Sequence, residues 1–69
     1  MNEFYLRDEF IKLGQLLKAC GIADSGVTAK IMIEEGLCKV NGETEVRRGR
    51  KLYEGDVVEV EGETVKICA

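Results

Sequence analysis

Residues 37–46 read LCKVNGETEV, with strand-like runs on either side of an Asn-Gly pair. Asn41-Gly42 is typical of the two-residue turn of a β-hairpin, because both central residues of that turn adopt positive φ. Alternation places Cys38 and Val40 on one face of the first strand and Lys39 on the other. A hairpin this short is not stable alone, so the sequence predicts that helices pack against it.

Two helical stretches precede the hairpin. Over residues 9–20, apolar residues recur at three- and four-residue steps, which predicts an amphipathic helix that stops at Gly21. Ser25 is an N-cap residue type and predicts the start of a second, short helix that ends at Gly36.

Further strand-like runs flank this central part. Residues 4–6 predict a short edge strand, and residues 57–60 and 64–68 alternate in the manner of strands next to turns at 54–56 and 61–63. The sequence therefore predicts an α+β fold in which a helix pair packs on one side of a small, mostly antiparallel β-sheet.

The length and composition of the chain predict one small domain, residues 1–69. The sequence has 69 residues, of which 45% are hydrophobic and 33% charged, which is the composition of a globular protein with one core. Cys20, Cys38 and Cys68 are odd in number and form no Cys-x-x-Cys, so we expect small core residues in a reducing, cytoplasmic compartment. No apolar run is long enough to span a bilayer, and we expect no membrane contact.

Nothing in the sequence indicates catalysis, a metal or a cofactor. The chain has no histidine, and a zinc site needs histidines or closely spaced thiolates. It also lacks Gly-x-Ser-x-Gly and a Gly-rich phosphate loop ending in Lys-Ser or Lys-Thr. Acidic pairs such as Glu34-Glu35 are more typical of a solvated surface than of an acid-base pair. We therefore predict a protein that is not an enzyme.

Charge is segregated along a chain whose net charge is −3. Five of the ten Lys and Arg residues lie within residues 39–51, whereas residues 54–63 are rich in Glu and Asp. The segment RRGRK at 47–51 is predicted to be a loop with free guanidinium groups and a glycine that permits close approach of a phosphate. A solvated loop whose arginines offset the glutamates explains the same residues equally well.

The start of the second predicted helix is another candidate phosphate site. Gly26 and Lys30 lie four residues apart on one face, just after Ser25, and the positive end of a helix attracts phosphate. Lys30 also precedes Glu34 by four residues and can form an intrahelical ion pair. The two roles are compatible.

Residues 25–42 carry a longer pattern, S-G-x-x-A-K-x-x-I-x-x-G-x-C-x-V-N-G. It resembles the core of the ribosomal protein S-four-type RNA-binding domain, and looks closest to its short stand-alone bacterial members of the YbcJ/YaaA type. The pattern continues into the basic stretch and a Gly-Asp turn at residues 55–56, so the resemblance covers about residues 9–60.

The resemblance implies that the helix pair and the hairpin edge grip double-helical or folded RNA, such as rRNA or tRNA, through its backbone. Many family members carry arginine directly after the serine and near the start of the first helix, where this chain has Gly26 and Lys12. The residues expected on the shared RNA-binding face are Lys12, Lys18, Ser25, Gly26, Lys30, Lys39, Asn41, Arg47, Arg48, Gly49, Arg50 and Lys51.

Two other function classes stay open beside a monomeric RNA-binding module. The acidic face formed by residues 54–63 would suit a protein partner, either in addition to RNA or as the site of a protein-interaction adaptor. A small carrier of the β-grasp type shares the strand pattern, but such carriers act through a C-terminal Gly-Gly. This chain ends Ile67-Cys68-Ala69, which disfavours the carrier.

Overall fold

The computed structural model describes residues 2–69. In chain order its elements are strands β1 (Asn2–Tyr5) and β2 (Ile11–Lys12), helices α1 (Leu13–Ala19) and α2 (Gly26–Glu34), and strands β3 (Cys38–Val40), β4 (Glu43–Thr44), β5 (Lys51–Leu52), β6 (Val57–Val60) and β7 (Glu63–Cys68). Five strands form one sheet in the order β1-β7-β6-β3-β4, and β2 pairs separately with β5. Apart from the parallel pair β1 and β7, the pairings are antiparallel. The predicted α+β fold is confirmed.

The Asn-Gly hairpin forms as its sequence predicts. Asn41 has φ 53° and Gly42 has φ 85°, so both turn residues occupy the left-handed region. Cys38 and Val40 are buried and Lys39 is exposed, as strand alternation requires. The second strand of the hairpin, β4, is only two residues long. On the other side of β3, β6 pairs with the whole of that strand.

The first helix is shorter than the periodicity of residues 9–20 predicts. Ile11 and Lys12 are extended and pair with Leu52 and Lys51 as the ribbon β2–β5. Ile11 therefore packs against the core from a strand, and α1 begins only at Leu13. The prediction failed because a short apolar run is compatible with either periodicity and a distant strand decided between them.

The second helix has the predicted ends. The Ser25 Oγ accepts a hydrogen bond from the Thr28 amide at 3.2 Å, which caps the start of α2. At the other end, Gly36 has φ 81°, a left-handed conformation that stops a helix.

The core lies between the two helices and the inner face of the five-stranded sheet. Its fully buried side chains include Leu13, Leu16 and Leu17 of α1, Ile33 of α2, Leu52 of β5, and Cys38, Val40, Val58, Val65 and Ile67 of the sheet. These residues form one continuous apolar cluster.

The cysteines do not all belong to that core. Cys38 is buried, Cys68 is half-buried and Cys20 is exposed, so the prediction that Cys20 is a core residue was wrong. Cys20 is the C-cap of α1, and after it the amides of Ile22 and Ala23 both donate to the Leu17 carbonyl. Ala23 is buried there, next to the last turn of α1.

Candidate nucleic-acid interface

The loop at residues 47–50 lies directly against the start of α1. The Leu13 amide donates to the Arg50 carbonyl at 2.8 Å, and the Gly14 amide donates to the Arg48 carbonyl at 2.9 Å. Both amides are in the first turn of α1, where a helix offers them no internal partner. The loop therefore completes the start of α1 and is held next to the cations of that helix.

Gly14 packs directly against this loop. A Cβ built at Gly14 would lie 3.4 Å from the Arg48 Cβ and 3.5 Å from the Arg48 carbonyl oxygen. These are ordinary van der Waals distances, so an alanine at position 14 would contact the loop without displacing it.

A depression of about 330 Å³ opens between this loop, α1 and the start of α2. We call it the basic depression, because its lining contains three cationic side chains and, among the residues that the structure describes, no acidic one. Its lining residues are Lys12, Gly14, Gln15, Lys18, Gly26, Arg48 and Gly49. Five of the twelve predicted site residues thus come together here, from three separate segments of the chain.

The start of α2 borders the basic depression with backbone groups. Gly26 lines the basic depression, and a Cβ built on it would meet nothing within 4 Å. The amides of Gly26 and Val27 make no hydrogen bond within residues 2–69, because only the third amide of the turn is capped by Ser25. Lys30 lies one turn further along α2 and is exposed, but it does not line the basic depression.

Glu45 holds two of the predicted loop cations. Its carboxylate accepts hydrogen bonds from Arg47 Nε at 3.0 Å and Nη2 at 3.1 Å, and from Arg50 Nη1 at 2.8 Å. It also accepts the amides of Val46 and Arg47, both at 3.1 Å. These hydrogen bonds lower the pKa of Glu45 from 4.5 to about 2, and those from the Arg47 side chain have the largest effect. The guanidinium groups of Arg47 and Arg50 are therefore ion-paired with Glu45 rather than unpaired as expected, although the Arg47 side chain is 73% exposed, whereas Arg48 forms no ion pair within residues 2–69.

Lys51 does not line the basic depression. It belongs to β5, and its Nζ lies 4.8 Å from the centroid of the Phe10 ring, a cation–π contact. The Tyr53 ring lies next to Phe10, with the two ring centroids 5.9 Å apart.

Lys39 lies elsewhere again, on the outer face of the sheet. It pairs across β3 and β6 with Glu59, and it lines a groove together with Glu59, Glu61 and Glu63. The structure does not bring Lys39 to the basic depression, and its surroundings are acidic.

Comparison with known proteins places the chain in a family. Residues 4–68 match the S4 domain family. The chain is an S4 domain. It is 49% identical over 61 residues to the probable ribosome maturation protein RlbA of Bacillus subtilis, covering 88% of this chain and 86% of that protein. It is 41% identical over 59 residues to the putative RNA-binding protein YbcJ of Escherichia coli, covering 86% of this chain and 84% of YbcJ.

Solved structures agree with this assignment of the S4 domain. The solution structure of E. coli YbcJ, described as having an αL motif involved in RNA-binding, matches with a TM-score of 0.76 and 38% identity over 100% of this chain and 89% of YbcJ. The crystal structure of 30S ribosomal protein S4e from Thermoplasma acidophilum matches with a TM-score of 0.63 and 26% identity. That match covers 84% of this chain and 31% of S4e.

Asn41, a predicted contact residue of this S4 domain, is engaged within the fold. Its Nδ2 donates to Asp56 Oδ1 at 3.0 Å, and its Oδ1 accepts the Val57 amide at 2.9 Å. The other oxygen of Asp56 accepts the Tyr53 amide at 2.8 Å. Hydrogen bonds of the Asn41 and Asp56 side chains therefore join the Val-Asn-Gly turn to the Gly-Asp turn of the sequence pattern.

The sequence did not identify Gly14, Gln15 and Glu45 as parts of this region. Glu45 stands two residues before Arg47 and five before Arg50, a spacing that offered a signal for a loop-closing carboxylate. Gly14 was a further signal, since glycine is a poor helix former and needs a reason inside a helix. Gln15 gave none, because an exposed glutamine is ordinary on a helix.

Among residues 2–69, no group of three or more His, Cys, Asp or Glu side chains is arranged to hold a metal ion. Neither helix in the described part of the chain has the length and apolar character needed to cross a membrane.

Proposed function

We propose that this S4 domain binds folded or double-helical RNA by placing the phosphate backbone in the basic depression. The observation that carries the proposal is the convergence of Lys12, Lys18 and Arg48 around a depression whose described lining has no carboxylate. Guanidinium and ammonium groups are the side chains that bind phosphate most strongly. Gly26 and Gly49 add backbone that a phosphate can approach without meeting a side chain.

The relatives support RNA as the partner. YbcJ is named a putative RNA-binding protein, RlbA a probable ribosome maturation protein, and S4e is a ribosomal protein. Ribosomal RNA is the folded RNA that fits these three descriptions, although a transfer RNA would present the same backbone. The domain acts in the cytoplasm as a monomer and has no catalytic role of its own.

The proposed contact surface is smaller than the face expected from sequence. It consists of Lys12, Lys18, Gly26, Arg48 and Gly49, with Ser25 and Lys30 at the rim along α2. Arg47 and Arg50 hold the loop, and Lys39, Asn41 and Lys51 make their contacts in other parts of the fold.

The composition of the basic depression supports recognition of shape and backbone rather than of bases. In the described structure its lining has no aromatic side chain on which a base would stack, and stacking is the main device of single-strand binding. Double-helical RNA is recognised mainly through its shape and its phosphate and sugar groups. We therefore expect little dependence on sequence and a preference for folded RNA.

A fluorescence titration of the full chain with an RNA hairpin, a DNA duplex of the same sequence and a single strand tests the proposal. Three phosphate contacts predict that the logarithm of the binding constant falls with the logarithm of salt concentration with a slope of about −2 to −3. The double substitution Lys12→Gln and Arg48→Gln should reduce the slope by about 2.

Lys66→Gln is the matched control, because Lys66 is exposed on β7 opposite Glu3 and lies outside the basic depression. It should leave the slope unchanged. Equal effects of the control and the double substitution would place the RNA site elsewhere. Absence of binding to the hairpin at low salt would contradict the proposed RNA-binding function. It would favour a protein-interaction module that uses the groove lined by Glu59, Glu61 and Glu63.

A further inference from the structure

We propose that Glu45 is a positioning residue of the RNA site: it fixes the loop at residues 47–50 so that Arg48, rather than Arg47 or Arg50, reaches the basic depression. The inference rests on the proposed function above and refines it, because it assigns different roles to arginines that look equivalent in sequence.

The first support is the environment of the Glu45 carboxylate. Glu45 is 7% exposed, although it is a charged residue in a short chain with little interior. Its two oxygens accept five hydrogen bonds, two from amides and three from guanidinium nitrogens. A buried charge with this many donors holds its surroundings in one arrangement.

The second support is a chain of contacts from Glu45 to α1. Arg50 Nη1 donates to Glu45 at 2.8 Å, and the carbonyl of the same Arg50 accepts the Leu13 amide at 2.8 Å. The Arg50 amide also donates to the Arg47 carbonyl at 3.2 Å, which closes the loop as a turn. Glu45 therefore holds both ends of the turn, and Arg50 links that turn to the helix.

Arg48 and Gly49 lie between Arg47 and Arg50, the two residues that Glu45 holds. They are the loop residues that line the basic depression, and the Arg48 carbonyl is itself bonded to the Gly14 amide. Since Arg47 and Arg50 spend hydrogen-bond donors on Glu45, the loop presents Arg48 with its guanidinium group available to a phosphate. The buried glutamate thus selects which arginine meets the ligand.

This role predicts an effect opposite in sign to that of simple electrostatics. Loss of a negative charge and release of two guanidinium groups should strengthen binding to a polyanion if charge alone mattered. If Glu45 positions Arg48, its loss instead weakens binding, because the loop must then be ordered when RNA binds. Ordering one or two side chains corresponds to about two- to tenfold in affinity.

The test measures hairpin RNA binding by the full chain at a temperature where every variant is folded. Glu45→Gln should bind about two- to tenfold more weakly than the unmodified protein. The control Glu43→Gln removes the same charge from an exposed residue of β4 and should bind equally or more tightly. In an Arg48→Gln background, Glu45→Gln should have no further effect, because its action passes through Arg48.

Arg50→Lys provides a variant that keeps the charge and tests the same link if Glu45→Gln folds poorly. It should also weaken binding, since a lysine cannot reproduce the guanidinium geometry. In the RNA-free protein, the amide order parameters of Arg48 and Gly49 should fall from about 0.85 toward 0.6 in either variant.

Three results would overturn the inference. Tighter binding by Glu45→Gln would show that charge governs the site. An undiminished effect in the Arg48→Gln background would show a general structural role. Unchanged binding by Arg50→Lys would remove the link to α1. In each of these cases the unmodified protein still binds RNA, whereas a protein that does not bind RNA at all contradicts the proposed function as well.

Discussion

The buried Glu45 carboxylate should make the stability of this domain sensitive to acid. The change to make is Glu45→Gln, which removes the charge and keeps the shape. Because the Arg47 and Arg50 hydrogen bonds lower the pKa of Glu45 from 4.5 to about 2, the ionised form is favoured in the folded state. Its contribution is fully present above about pH 4.5 and is lost as the pH falls toward 2.

The size of the contribution follows from that pKa and from exposure. A shift from 4.5 to about 2 corresponds to a ceiling of about 3 kcal/mol. The Arg47 side chain, however, is 73% exposed and that of Arg50 34% exposed, so solvent screens both pairs. We therefore expect about 1–2 kcal/mol at neutral pH, equivalent to a melting temperature about 4–15 °C lower in the variant.

Urea denaturation followed by circular dichroism, at a series of pH values from about 7 to 2, measures this contribution. The difference in unfolding free energy between the unmodified protein and Glu45→Gln isolates Glu45, since the other carboxyl groups titrate in both. It should be about 1–2 kcal/mol at pH 7 and shrink below pH 4.5. Glu43→Gln should show almost no difference at any pH. A difference for Glu45→Gln that stays constant with pH, or is absent at pH 7, would refute the reasoning.

Two further pairs of substitutions test the fold. In thermal denaturation, Asn41→Ala should lower the free energy of unfolding by about 2–3 kcal/mol, because it removes the bonds to Asp56 and Val57 and places alanine at positive φ. Asn41→Gly should recover about 1 kcal/mol of this loss. Equal losses for the two variants would show that φ is unimportant. Ile33→Val in the core should lower the free energy of unfolding by about 0.5–1.5 kcal/mol, whereas Ile31→Val on the exposed face of α2 should lower it by less than about 0.5 kcal/mol. Similar losses for the two variants would contradict the assigned core.

The features that the sequence predicted correctly depend on neighbours along the chain. The Asn41-Gly42 turn, the Ser25 cap and the helix stop at Gly36 each follow from one or two residues and their backbone preferences. Strand alternation similarly predicted which face of β3 is buried. For such features the physical cause lies within a few residues, so pattern and outcome coincide.

The features that it missed depend on contacts between distant segments. Residues 11–12 became a strand rather than helix because Leu52 and Lys51 were available as partners. The basic loop was recognised as a cluster of cations, but charge alone does not show that Glu45 occupies two of its three arginines. The basic depression could not be predicted because it depends on the position of the loop relative to α1, which is set by contacts between distant segments, including the bonds of the loop carbonyls to Leu13 and Gly14.

Those two bonds also determine when α1 forms during synthesis. The helix is seven residues long, too short to persist by itself in water, and its first two amides depend on carbonyls more than thirty positions later in the chain. While a ribosome is still adding residues 15–47, the N-terminal segment lacks the partners that complete its helix. Lys12 and Lys18, at the two ends of α1, therefore reach their final spacing only after residue 50 has been added and the loop at residues 47–50 can bond to the helix.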